Sequence, residues 1–280
     1  MPVVANGSRT QLFYIQEDGS GDIPAVTPEF KPIRYNTDGM SRNVTQIDSA
    51  EINPSRQRPV SRQGTYSVAG EIVSEGSYGS FDDLLEAVMQ GAWTADVLKV
   101  GVTVPTFAIV ERHTDISEDY IYRHCRVATL NIAAPLDSAA QLTFGVIGEE
   151  AEAYKFPGDE TFAAATTTEM MVTTQGGFDE NSVAIDYLTD YNLTIDNNMA
   201  PLFSLFQRPA YSVQNGIFIA NGTMTAYMPD GDLFAKFLGE TATDHEVTLT
   251  ENSQSYVIAL PSVIYTQAEK AVAGDGPILP

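Results

Sequence analysis

The chain has 280 residues, with 37 acidic against 15 basic side chains and a formal net charge of -22. A hydrophobic content of 43%, with 13 Tyr and 13 Phe, excludes intrinsic disorder, which goes with few aromatics and low hydrophobicity. So acidic a chain also excludes a protein that grips phosphate backbones, because that affinity comes from Lys and Arg displacing counterions; it does not exclude one that must avoid gripping them.

In chain order, the first distinctive segment is a basic loop, 53–62, which carries Arg56, Arg58 and Arg62 in an acidic protein. It has no interleaved aromatic on which a base could stack, so two readings stay open: a contact to an acidic surface on another subunit, or a solvated hairpin. Next, 65–75 alternates, with Tyr66, Val68 and Ile72 on one side and Ser67, Glu71 and Glu75 on the other, the pattern of a half-buried strand. A helix is expected over 81–90. Ser80 is placed to cap it, Asp82 and Asp83 suit its N-terminus, Phe81, Leu84, Leu85 and Val88 form an apolar stripe, and Gly91 is placed to stop it. Short β patterns follow at 106–112, 119–126, 127–132 and 142–146.

The stretch 149–182, with its Ala-Thr run and Gly176-Gly177, reads as a connection with one added strand at 170–173. Beyond it, 186–196 alternates again. Asp186, Asp190, Asn192, Thr194 and Asp196 fall on one side, and Tyr187, Tyr191, Leu193 and Ile195 on the other. A simple solvent-facing strand and a functional acidic surface explain this equally well. A second helix is expected over 232–238, with Leu233, Phe234 and Phe237 as its stripe and Gly239 as its stop, and β segments at 246–250 and 256–260 close the series.

These elements repeat. Gly64 and Gly216 introduce corresponding strands 152 positions apart, Leu84 and Leu233 lie 149 apart in the helices, and Tyr122 and Tyr256 lie 134 apart in the later strands. So long a spacing indicates paired domains rather than a solenoid. The expected organisation is a first domain over 1–155, a connecting segment over 156–182, and a second domain over 183–280 whose last strand is either missing or supplied differently.

No catalytic constellation emerges. His124 and Cys125 are neighbours in an expected strand, so they point to opposite faces and do not pair as base and nucleophile. A core thiol beside a surface imidazole is the expectation. His113, His124 and His245 have no ligand spacing, and Gly76, Ser77, Tyr78, Gly79 and Ser80 do not follow the nucleophile-elbow order. The expectation is no enzyme, no cofactor and no metal. The N-terminus has no basic region followed by an apolar run, and no apolar stretch approaches the roughly 18 residues of a membrane span, so no membrane partner is expected.

Taken together, the segment from Ala5 to Tyr14, the run Ser77 to Ala87 and the Asp96-Val97-Leu98-Lys99 that follows Trp93 resemble the major tail tube proteins of long-tailed, siphovirus-like bacteriophages. The similarity is strongest from 5 to about 150 and continues in pattern to 280. The resemblance implies a mainly β fold of two tandem tail-tube-type β-sandwich or barrel domains with one short helix per repeat. It implies a structural virion protein, made in the bacterial host cytoplasm and found in the tail, that assembles into stacked rings. Partners would be further copies of itself, as rings of three two-domain chains with pseudo-sixfold symmetry or of six chains, together with tape-measure, tail-terminator and distal-tail proteins. DNA would pass without specific binding. On this reading Glu71, Glu75, Asp186, Asp190 and Asp196 are candidates for an acidic lumen lining, and Arg56, Arg58 and Arg62 for a ring-stacking loop. The competing reading is a soluble β-sandwich module that binds carbohydrate or protein; it needs an exposed aromatic platform, and the lone Trp93 is better placed as an anchor after the first helix. A hydrolase using paired carboxylates has no supporting motif.

Overall fold

A computed structural model describes residues 4–25, 27–52, 54, 60–228 and 230–269. The first half runs through β1 (Thr10–Gln16), β2 (Glu29–Ile33), β3 (Thr37–Asp38), β4 (Ser41–Asp48), β5 (Ser61–Glu75), α1 (Asp82–Met89), β6 (Phe107–His113), β7 (Glu118–Pro135), β8 (Gln141–Gly148) and β9 (Glu150–Tyr154). The second runs through β10 (Thr161–Phe162), β11 (Gly177–Glu180), β12 (Val183–Ala184), β13 (Leu188–Asp196), β14 (Ala200–Leu202), β15 (Ser212–Gln214), β16 (Ile219–Ala226), α2 (Asp232–Leu238), β17 (Thr243–Glu251) and β18 (Gln254–Val263). The chain is mainly β, as the alternation implies.

Strand β7 organises the rest. Its first half pairs with β6 and β9, its second half with β8 and β13. Between them the register shifts from Val127 to Thr129, and His124 takes a positive φ of 53°. Bulges bend a strand and increase its twist, so one strand serves two layers where the sequence suggests separate segments at 119–126 and 127–132. One layer is a long sheet ordered β16-β13-β7-β8-β5, with β3 and β4 sharing the far edge of β5. The other is ordered β10-β2-β1-β6-β7. A separate four-stranded sheet, β12-β11-β17-β18, packs over the β13 end.

The core lies between these layers. Val68, Ile72, Leu130, Ile132, Phe144 and Val146 meet Leu12, Ile109 and the helix residues Leu84 and Val88, and the cluster runs on to Leu193, Phe178, Val247 and Leu249. Each such side chain contributes about 1.5–3 kcal/mol on full burial. A second cluster of Phe13, Ile15, Phe30, Val110 and Ile121 lies on the far side of β1 and β6, covered by Tyr154 and Phe156. Those two strands are buried on both faces, which is why residues 12–15 are apolar without alternation.

The order strand, helix, hairpin occurs twice, as β5-α1-β6-β7 and as β16-α2-β17-β18. Helix α2 spans the expected residues and ends at Gly239. Helix α1 differs at both ends. No side chain caps its N-terminus, where Phe81 holds the capping position and the Ser80 hydroxyl is 2.6 Å from that of Ser77. At the other end Gln90, not Gly91, takes the left-handed conformation, with φ 54°. Gln90 is held there by a reciprocal amide pair with Asn215, at 2.7 and 2.9 Å. Gly91 is needed for close approach, since a Cβ would lie 2.1 Å from the Lys99 carbonyl oxygen. Trp93 anchors the following turn, its backbone amide donating to Glu86 at 2.8 Å and its ring stacking on Tyr256. Residues 170–173 form only isolated bridges, Met170 to Ser77 and Val172 to Ala139, before a 3-10 turn at Thr173–Gln175. The expected extra strand is therefore absent there. The segment 156–182 instead contributes β10, parallel to β2, and β11, antiparallel to β17.

Candidate functional site

The long sheet has one face turned to the core and one left open. Alternation along β13 buries Tyr191, Leu193 and Ile195 and turns Asp190, Asn192, Thr194 and Asp196 outward. Along β5 it buries Val68 and Ile72 and leaves Glu71 and Glu75 exposed. Register then decides which outward residues are neighbours. Ile219, Asp196, Thr129, Gly145 and Glu71 form one row across all five strands. Asn221, Thr194, Asn131, Thr143 and Val73 form the next, and Thr223, Asn192, Ala133, Gln141 and Glu75 the third.

Apart from Ile219 and Val73, these rows are made of Asp, Glu, Asn, Thr, Gln and small residues. Among the described residues in these three rows there is no Lys or Arg. The nearest base along β7 is Arg126 at the sheet's end, and its guanidinium is taken up by the Val213 carbonyl and by Glu149 at 3.7 Å. The seam between β7 and β13 is tied on the open face. The Asn131 amide donates to Asn192 at 2.9 Å and to Thr194 at 2.8 Å, and Asn192 donates back at 3.3 Å. Gly145 lets the middle of the surface stay flat, because a Cβ there would lie 2.1 Å from the Thr129 hydroxyl.

Four of the five acids expected on a lining therefore share one face of one sheet: Glu71, Glu75, Asp190 and Asp196. Asp186 is exposed but precedes β13. Its alternation does not extend that far because the β13–β16 register shifts between Leu188 and Asp190. Of the basic loop, Arg56 and Arg58 lie outside the described residues. Arg62 is exposed on β5, opposite Ile47, in the two-stranded arm formed by β4 and the start of β5. Every residue of β4 is exposed, so this arm projects beyond the sheet. The sequence did not reveal the strap from 197 to 218, which carries β14 and β15 and crosses the same end of the sheet.

The histidines are spread apart. The His113 ring lies 3.0 Å from the Thr10 hydroxyl, His124 pairs with Glu17 at 3.1 Å, and His245 bonds Tyr265 at 2.8 Å. Cys125 is fully buried, and burial pushes its thiol well up; the His124 ring is partly exposed, as expected of the pair. A hydrogen bond to the buried Glu17 carboxylate holds His124 above the usual imidazole range. Burial pushes His245 down. Near it, Glu180 is desolvated, yet Lys236 at 2.6 Å and Tyr265 at 2.8 Å bring its carboxyl below the usual range. This network lies beside a trough of about 870 Å³ between β16, α2 and residues 260–269, lined by Met224, Leu233, Phe237, Leu260 and Ile264. Strand β16 pairs only with β13 among the described residues, so its other edge faces this trough.

The chain is thus mainly β, with an extended sheet open on one polar face, a projecting arm and an edge of β16 that has no second partner among the described residues. Residues 7–279 match the family described as phage tail tube protein, and the chain belongs to that family. It is thus a structural component of a phage tail. No curated protein matches the chain.

Proposed function

We propose that the chain supplies two tube-type units side by side, 1–155 and 183–280 joined by 156–182, and that three chains close a ring with pseudo-sixfold symmetry. The pairing of β13 with β7 carries this reading. It fuses strands from both halves into one sheet and sets Asp196 of one half in the same row as Glu71 of the other. The repeated order of strand, helix and hairpin supports two units, and the edge of β16 that has no partner among the described residues, together with the exposed β4 edge, supports closure by edge pairing with further copies.

In this reading the open face lines the lumen. Glu71, Glu75, Asp190 and Asp196 surround the channel, with Asp186 at its rim. Carboxylates repel phosphate oxygens, and a face without bases offers no site where counterion release could hold the DNA. Amides and hydroxyls keep the wall wetted between the charges. Arg56, Arg58 and Arg62 serve as a ring-stacking loop, giving like-charged rings local compensation where they meet. Tape-measure, terminator and distal-tail proteins would complete the tail, which assembles in the host cytoplasm.

Negative-stain microscopy of concentrated purified protein tests the reading. Hollow tubes are expected, and mass per ring distinguishes three chains from six. Persistent monomers would overturn it. For the lining, the variant Glu71→Gln, Glu75→Gln, Asp190→Asn, Asp196→Asn should form tubes of normal diameter that retain duplex DNA at low salt, whereas the unmodified tube should not. Equal retention by both would remove these residues from the lumen.

A further inference from the structure

Between Asp196 and Asp230 the chain has no acidic residue, and Arg208 is its only charged one. At 37 acids in 280 residues, a stretch of this length would carry about four. The strap occupies the first part of this stretch. Leu202, Phe203, Leu205, Phe206 and Tyr211 are all exposed on it, Leu205 at 83% and Phe206 fully. Single exposed apolar residues are ordinary on a soluble protein, but a contiguous group of large ones marks an interaction surface.

The strap is firmly built. At its neck, Gly216 donates to the Asn197 carbonyl at 2.9 Å, and the buried Asn197 amide donates to Val88 at 2.9 Å. Along its length Val213 and Ala210 are buried, Tyr66 donates to the Arg208 carbonyl at 2.8 Å, and Arg208 donates to Gln63 at 2.9 Å. Phe206 sits at the tip in a left-handed conformation, φ 69°. Apolar side chains are thus held in water on a preorganised support.

We infer that the strap tip docks on a second copy of this chain, head to tail. Charge favours this occupant: copies carrying -22 each repel, and an apolar segment that carries no acid of its own is where two of them can meet. Position agrees. The strap lies at the sheet end from which the β4–β5 arm projects, and the opposite end exposes Leu136 and Tyr227. A patch matched to a different patch on the same chain gives a heterologous contact that repeats without closing. This inference rests on the tail-tube reading and gives it a specific apolar contact along the tube.

The test uses the full chain. A photo-crosslinker at position 206 should join to a second copy near 136–140 or 227–230. In parallel, Leu205→Asp with Phe206→Asp should raise the concentration needed for tubes at least tenfold while leaving single rings, with circular dichroism and Trp93 fluorescence unchanged. If that variant does not fold, Leu205→Ser with Phe206→Ser takes its place. Normal tubes from the variant, or crosslinks that fall elsewhere or only within the chain, overturn the docking and leave the tube reading standing. Absence of tubes from the unmodified protein overturns both.

Discussion

At the bend of β7, one ion pair bears on a backbone outlier. His124 is not glycine yet has φ 53°, and the buried Glu17 carboxylate accepts from its amide at 3.0 Å while pairing with its ring at 3.1 Å. Hydrogen bonds to charged groups contribute about 1.5–3 kcal/mol, enough to offset the roughly 1–2 kcal/mol cost of the left-handed conformation. Because Glu17 raises the His124 pKa above its unfolded value near 6.5, the stabilisation is fully present below that value and is lost as pH rises through the folded pKa. Glu17→Gln should therefore cost about 2 kcal/mol at pH 5.5 and progressively less above neutrality; urea melts of both proteins across this range check it, and a constant difference would refute it. Gly70 has a different constraint. A Cβ there would lie 2.4 Å from the Gly39 carbonyl oxygen, where the edge passes from β3 to β4, and backbone has little room to yield. Gly70→Ala should destabilise by about 2 kcal/mol in the same assay.

Among the elements, α1 and β16 behave differently. Helix α1 is only eight residues long and has no N-terminal side-chain cap, so its stability comes from packing rather than from propensity. Leu84 is buried in the main cluster, and Leu84→Ala should cost about 3 kcal/mol. Strand β16 lacks a second partner among the described residues, and 219–223 are all exposed. Its amides directed away from β13 should exchange with solvent readily in the monomer and become protected on assembly, as hydrogen exchange followed by mass spectrometry can read. Continued rapid exchange in tubes would show that this edge is not where copies pair. The same elements show how much was legible beforehand. Helix α2, with a clean apolar stripe and a terminal glycine, was readable to the residue. For α1 the stop was misassigned by one position because Gln90 is fixed by Asn215, 125 residues away, and no local pattern reports such a partner.

For the whole molecule, charge dominates. Up to 155 there are 12 bases against 21 acids, and beyond it 3 against 16; both halves are acidic, so copies repel over most of their surfaces. Screening shortens the reach of that repulsion from about 10 Å at 0.1 M salt to about 3 Å at 1 M. An apolar contact such as the strap tip is indifferent to that screening. Tube formation should therefore need several-fold less protein at 0.5 M than at 0.05 M sodium chloride, measured by pelleting. The opposite trend would mean that attraction between arginines and acids outweighs the general repulsion.

The sequence by itself determined the class of the molecule: alternation specified half-buried strands, apolar stripes marked the two helices, and Glu71, Glu75, Asp190 and Asp196 fall on their strands' polar sides. These are local properties, decided by the period of two along a strand and by side-chain chemistry. Only the tertiary structure decided that the four acids share one face. That depends on the pairing of β7 with both β8 and β13, and on a bulge at Val127 and Thr129. Register is a long-range choice, made by whichever slide buries the apolar set of every strand at once. The fold of the strap was hidden for the same reason, since the strap is held at its neck and along its length by bonds to residues more than a hundred positions away.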